Sequence, residues 1–139
     1  MAIKFKKLHP EAVLPKRANA FDAGMDMTAV SEKVTDAYIE YDTGVAVEIP
    51  PGYVGFLFPR SSITKTGLML GNSVGVVDAG FRGSVTFRFK DVNRHLTKYK
   101  VGDRIGQLVI VPILLHDGKF VEELSDTARG TGGYGSSGT

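Results

Sequence analysis

Turn signals built on glycine and proline recur along this chain and separate many short β-rich runs. Seventeen glycines and six prolines are spread over 139 residues, and most stretches between them have the length of a strand. After Gly83, Val85, Phe87 and Phe89 alternate with Thr86, Arg88 and Lys90, the period-two pattern of a strand with one buried face. Ile3 and Phe5 alternate with Lys4 and Lys6, predicting a short strand within Ala2–Leu8. Tyr38–Tyr41 and Val45–Ile49 flank Asp42-Thr43-Gly44 and predict a hairpin. Leu68–Leu70 and Val74–Val77 flank Gly71-Asn72-Ser73 and predict a second, bent one. Tyr53–Phe58 is almost unbroken apolar sequence, which predicts a strand buried on both faces. Ile105–Leu114 is the most hydrophobic segment. Ser61–Thr66, closed by Gly67, predicts about one helical turn. Its hydroxyls would cap that turn, and the same free amides suit an anion; the local reading favours capping. The pattern as a whole predicts an all-β sandwich or barrel with at most one or two short helical segments.

A chain of this length encloses one core. Hydrophobic residues make up 42% and charged residues 23%, which fits a folded domain and not a disordered chain. From Ser125 onward the composition changes to glycine and hydroxyl residues that cannot build a core. The expected organisation is therefore a β domain over 1–124 and a flexible C-terminal arm over 125–139. The lone ring of Tyr134 and the lone Arg129 suggest that this arm closes over something. Cysteine is absent, which excludes disulfides and thiolate chemistry. The start is basic but has no apolar run suited to a signal peptide, and nothing approaches the ~20 apolar residues of a membrane span. The expectation is a cytoplasmic protein with no membrane partner. The formal charge of +2 suits a small anion as well as a nucleic acid. The basic residues are scattered without paired stacking residues, which argues against a nucleic-acid partner.

Chemistry concentrates in a few places. Gly75-Val76-Val77-Asp78-Ala79-Gly80-Phe81-Arg82-Gly83 sets one acid and one ring among glycines, as a backbone-lined pocket would be written. Asp26 follows Gly24 in a second glycine-bearing turn. Arg60, Arg104 and Arg129 sit beside turns and small polar residues, a set suited to a polyphosphate. His9, His95 and His116 lack metal-ligand spacing and read as structural or surface residues. Neither a Walker A sequence nor a G-x-S-x-G elbow is present.

Five short segments then resemble, in order, the five motifs of the trimeric dUTPases. They are Ala23-Gly24-Met25-Asp26-Met27, Pro59-Arg60-Ser61-Ser62, the central glycine turn, Gly102–Leu108 and the Arg129–Gly138 tail. The resemblance implies a distorted jelly-roll or β-clip-type barrel, and a homotrimer whose active sites lie at subunit interfaces. It implies hydrolysis of dUTP to dUMP and pyrophosphate. Asp78 matches the acid that orients and deprotonates the attacking water. Asn72, Gly75 and Val77 match the uracil pocket, and Phe81 the wall against the deoxyribose. Arg60, Ser61, Ser62, Gln107, Arg129, Ser136 and Ser137 match triphosphate-holding positions. Tyr134 matches the ring that stacks on uracil when the arm closes, with Gly135 beside it. Arg104 matches an organising position. Mg²⁺ is the implied cofactor, with Asp26 holding it indirectly through water.

The chain departs from the family pattern in four places. Phe81 stands where tyrosine is frequent, Gly80 where an acid is common, Gly106 for alanine and Tyr134 for phenylalanine. The Asp78–Phe81 form is also similar to that of the dCTP deaminases, which need a further glutamate. The matching position here is Arg88, Lys65 replaces their arginine, and the deaminases lack the glycine-rich tail. A regulatory nucleotide binder without turnover is the other alternative, and the retained Asp78 argues against it.

Overall fold

In a computed structural model of the chain, residues 2–139 are described. Ten strands form: β1 (Lys4–Lys7), β2 (Met25–Thr28), β3 (Ser31–Val34), β4 (Ile39–Asp42), β5 (Val45–Glu48), β6 (Tyr53–Phe58), β7 (Leu68–Leu70), β8 (Gly75–Val77), β9 (Thr86–Asp91) and β10 (Arg104–Pro112). The one helical segment among the described residues is a 3₁₀ turn over Ser61–Lys65. All pairings are antiparallel, and they build a two-stranded sheet β1-β5 and two four-stranded sheets, β2-β10-β6-β8 and β3-β4-β9-β7.

The core lies where the alternating residues of these sheets meet. Met25, Met27, Leu57, Val77 and Leu108 come from one sheet, Ile39, Tyr41, Leu70, Phe87 and Phe89 from the other, and Val47 from β5. The pattern after Gly83 is realised as read: Val85, Phe87 and Phe89 are almost fully buried. Phe87 and Phe89 lie two residues apart on one face and stack at 6.3 Å, while Tyr41 meets Phe89 edge-on at 5.8 Å. Each such side chain contributes ~1.5–3 kcal/mol through burial alone. Tyr41 also donates its hydroxyl proton to the Tyr99 carbonyl at 2.8 Å. Burial, the largest cause, pushes the Tyr41 phenol well above its ordinary pKa, so it stays a neutral donor.

Neither expected hairpin forms. β4 pairs with β3 and β9, and β5 pairs with β1. The reason is Val85, whose carbonyl accepts from Thr43 N at 3.1 Å while its amide donates to Val45 O at 2.8 Å. It thereby bonds on both sides of Gly44, and the two runs diverge into different sheets. The buried Thr43 hydroxyl also donates to Val85 O, at 2.7 Å. In the second case β7 pairs with β9 and β8 with β6. Gly71 N is drawn to Arg88 O at 2.8 Å, and Ser73 adopts φ 63°, so the loop is a corner between sheets.

β6 has no exposed residue, as expected, but only one of its faces joins the main core cluster, Val54 on the other being buried outside it. Leu57 is buried, but Phe56 and Phe58 are half-buried on the opposite face, with ring centroids 5.9 Å apart. β3, with the sequence Ser31-Glu32-Lys33-Val34 and every residue exposed, had no alternating apolar signal to announce it. At the C-terminal end the last strand stops at Pro112, ahead of the compositional break at 125. Ile113 N donates to Gly52 O at 2.8 Å. Beyond it Leu114, Leu115, Phe120, Leu124 and Tyr134 are all well exposed.

Candidate active site

Where β6 ends, Pro59 and Arg60 carry the chain into the 3₁₀ turn, alongside β2 and β10. A cleft of 350 Å³ opens there, lined by Asp22, Gly24, Asp26, Arg60, Ser61 and Gln107, with Ala18 and Ala23. Asp26 is its electrostatic centre. Arg60 Nε donates to one carboxylate oxygen at 2.9 Å and Arg104 Nη1 to the other at 3.2 Å. Two guanidinium groups thus converge on one carboxylate, and Asp22 adds a second carboxylate to the cleft wall, so donors are gathered there without a net positive charge. Gln107 Nε2 donates to Pro59 O at 3.0 Å and crosses close over Gly24. A Cβ at Gly24 would come within 2.1 Å of Gln107 Oε1, so this crossing requires glycine.

The serines of the second motif part company. Ser61 faces the cleft, whereas the Ser62 hydroxyl bonds the Tyr99 hydroxyl at 3.1 Å, which connects it to the Tyr41–Tyr99 pair in the core. No side chain caps the 3₁₀ turn, contrary to the local expectation. The reason is that Arg60, not a serine, occupies the N-cap position.

The glycine-rich turn lines a second cleft of 210 Å³, formed by Leu57, Asn72, Gly75, Val76, Val77, Asp78, Phe81, Ser84, Val85 and Thr86. Its glycines adopt no positive φ. Gly83 instead provides space: a Cβ there would meet Phe81 Cζ at 2.7 Å, so the ring lies directly over it. Asp78 and Phe81 are both exposed, and the Phe81 amide closes the turn onto Asp78 O at 3.1 Å.

The sequence-derived residues thus gather in three places. Asp26, Arg60, Ser61 and Gln107 share the first cleft, with Arg104 behind Asp26. Asn72, Gly75, Val77, Asp78 and Phe81 share the second, and the two clefts have no lining residue in common. Arg129, Tyr134, Gly135, Ser136 and Ser137 line neither and lie on the exposed arm. Asp22, which also lines the first cleft, escaped the sequence reading. Its signal was the Asn19-x-x-Asp22 spacing, since Asp22 Oδ2 accepts from Asn19 N and Asn19 Nδ2, both at 2.9 Å. His9 Nδ1 accepts from Glu11 N, and His95 and His116 are exposed, away from both clefts. Arg88 pairs with Glu40 at 2.6 Å, lies 4.3 Å over the Tyr38 ring and lines neither cleft.

Among the described residues, no three His, Cys, Asp or Glu side chains come together to hold a metal ion. Asp26 is the acid nearest such a role, and both of its oxygens accept from arginines. A dication in the first cleft would therefore draw most of its oxygen ligands from a bound polyphosphate and water.

A model of the dUTPase family matches residues 10–138, nearly the whole chain. The chain belongs to the dUTPase family. It is 38% identical to the deoxyuridine 5'-triphosphate nucleotidohydrolase of Escherichia phage T5, over 99% of both chains. A variant of the Staphylococcus bacteriophage 80alpha dUTPase, solved with dUpNHpp, superposes with a TM-score of 0.87 at 33% identity over 99% of both chains. A mutant dUTPase from phage phi11 of S. aureus, described for its coordination of a structural Mg(II) ion, matches at TM-score 0.75 and 30% identity. It covers 88% of this chain and 98% of its own. The all-β, jelly-roll-type architecture expected from the motifs is that of these relatives.

Proposed function

We propose that this protein hydrolyses dUTP to dUMP and pyrophosphate. The observation that carries the reading is the joint placement of Asp78 and Phe81 in the wall of one small cleft with Asn72, Gly75 and Val77. Backbone groups of the turn would hold uracil and the Phe81 ring would lie against the deoxyribose. Asp78, exposed at the mouth, would take the proton of a water attacking the α-phosphorus. The new P–O bond forms as the bond to the departing pyrophosphate breaks. Asp78 is a weak base, so orientation and charge neutralisation must supply most of the rate. Arg60, Ser61 and Gln107 would hold the phosphates, joined by Arg129, Ser136 and Ser137 when the arm closes. Ser62, bonded to Tyr99, would support them from behind. Tyr134, with Gly135 beside it, would cover the base and help exclude water. Mg²⁺ bound to the phosphate oxygens, with Asp26 behind a bridging water, would supply charge neutralisation.

We also propose that the working unit is a homotrimer. Phe56, Phe58, Val76, Val109 and Val111 share the outward face of one sheet by register, and Val76 is 62% exposed. Such a face invites burial by another copy. Asp26 and Gln107 lie on that same face, so a docked copy would come up beside the phosphate cleft. That arrangement supplies what the single chain lacks, a second cleft and an arm next to the first. The cytoplasm, where dUTP is at hand, is the proposed location.

The test is product analysis of the purified protein with Mg²⁺ and separate dUTP, dCTP, dTTP and UTP, scoring pyrophosphate and ammonia together. Pyrophosphate from dUTP alone is expected, and Asp78→Asn should abolish it while leaving nucleotide binding largely intact. Ammonia from dCTP, or Asp78→Asn turnover near the unmutated rate, would overturn the reading.

A further inference from the structure

Arg82 follows directly on Phe81 and lines neither cleft. Its guanidinium folds back under the turn that carries Asp78 and Phe81. A single nitrogen, Nη1, donates to Ala79 O at 2.7 Å and to Phe81 O at 3.0 Å. The turn's own backbone contributes one further bond, Phe81 N to Asp78 O at 3.1 Å. The opposite guanidinium nitrogen, Nη2, lies 3.7 Å from Glu48 Oε1. Glu48 Oε2 in turn accepts from Lys4 Nζ at 2.7 Å, across the directly paired positions of β1 and β5. The β1–β5 pair is thereby linked through the Glu48–Arg82 ion pair to the two carbonyls that bracket Gly80.

We infer that Arg82 is a positioning residue of the active site, holding Asp78 and Phe81 in register from behind the turn. The inference rests on the proposed dUTP hydrolysis at this cleft. The eight-residue connection 78–85, with one internal backbone bond and glycines at 80 and 83, has many conformations. Two charge-assisted bonds from one planar group select among them at carbonyls that no other described donor reaches. Asp78 and Phe81 need that selection together, because the acid must meet the water while the ring limits the sugar. Half of the Arg82 side chain remains exposed, so its ion pair alone adds little to global stability. Its effect should therefore appear in turnover and sugar selectivity before it appears in folding.

The experiment compares full-length wild type, Arg82→Met, Arg82→Lys and Asp78→Asn. Methionine keeps length and removes every donor, whereas the lysine ammonium can still donate to both carbonyls. Arg82→Met is expected to lower kcat on dUTP by roughly 10- to 100-fold, with a much smaller change in KM because the phosphates bind elsewhere. The dUTP preference over UTP should narrow, while Tm stays within about 2 °C of wild type. Arg82→Lys should recover most of the lost kcat and selectivity. Hydrogen exchange of the Phe81 amide, which reports the turn without needing turnover, should accelerate in Arg82→Met and not in Arg82→Lys. Unchanged kcat, selectivity and Phe81 exchange in Arg82→Met would overturn the inference, as would equal losses in the methionine and lysine variants. A wild type that leaves dUTP intact would instead refute the proposed reaction, and Phe81 exchange would still decide whether Arg82 holds the turn.

Discussion

Replacing Asp26 by asparagine tests the charge arrangement at the phosphate cleft most directly. The substitution keeps shape and removes charge. Asparagine can present one oxygen to Arg60, but its amide nitrogen must then face Arg104, donor against donor. The Asp26–Arg60 contact is the stronger of the two, at 2.9 Å between side chains only 16% and 25% exposed. A charge-assisted bond of this kind contributes about 1.5–3 kcal/mol, and the half-exposed Arg104 pair no more than ~1 kcal/mol. The substitution leaves Arg60 an ordinary hydrogen bond and Arg104 none, a loss of about 1–2.5 kcal/mol that converts to a fall in Tm of about 3–9 °C for a domain of this size, measured at fixed protomer concentration so that assembly does not confound it. Arg60, held by a weaker neutral bond, should also position phosphate less well, and kcat/KM for dUTP should fall about tenfold. Adding Arg104→Met removes the opposed donor, so the double variant should be less destabilised than the sum of the two single variants. Calorimetry of the four proteins with steady-state kinetics on each completes the cycle. An unchanged Tm in Asp26→Asn, or strict additivity in the cycle, would refute the view that Asp26 is the bond between the two arginines.

Two further outcomes follow from the arm and from the Arg82 tether. Deleting residues 128–139, which line neither cleft, should leave Tm and oligomer mass intact and cripple hydrolysis; unchanged steady-state kinetics would exclude a need for closure. The hydrogen bond from Lys4, then its charge and that of Arg82, hold the Glu48 carboxyl below its ordinary pKa of 4.5. A lowered folded value means that its contribution is present above pH 4.5 and is lost only as the solution is acidified through the folded value. An NMR titration of the Glu48 carboxyl carbon should therefore have its midpoint below 4.5, moving back toward it in Lys4→Ala. A wild-type midpoint at or above 4.5 would exclude the pairing.

Much of this protein is written in local sequence. The alternation of Val85, Phe87 and Phe89 determined a strand and its buried face, because side-chain direction in an extended chain depends only on residue parity. Recurrent glycine and proline turn signals marked a chain of many short strands. The glycines around Asp78 and Phe81 marked the second cleft, since close ring packing of the kind seen at Gly83 tolerates no side chain. Partners were not legible in this way. Both hairpin signals were locally sound, yet Val85 and Arg88 draw the intervening loops into corners, through bonds between residues far apart in the chain. The tertiary structure also decided that Ser62 turns to Tyr99 while Ser61 faces the cleft, that Asp26 serves two arginines, and that Arg82 reaches back beneath its own turn. Direction along a strand is a property of the chain itself, whereas a hydrogen-bond partner is set by which distant segment folding brings within about 3 Å.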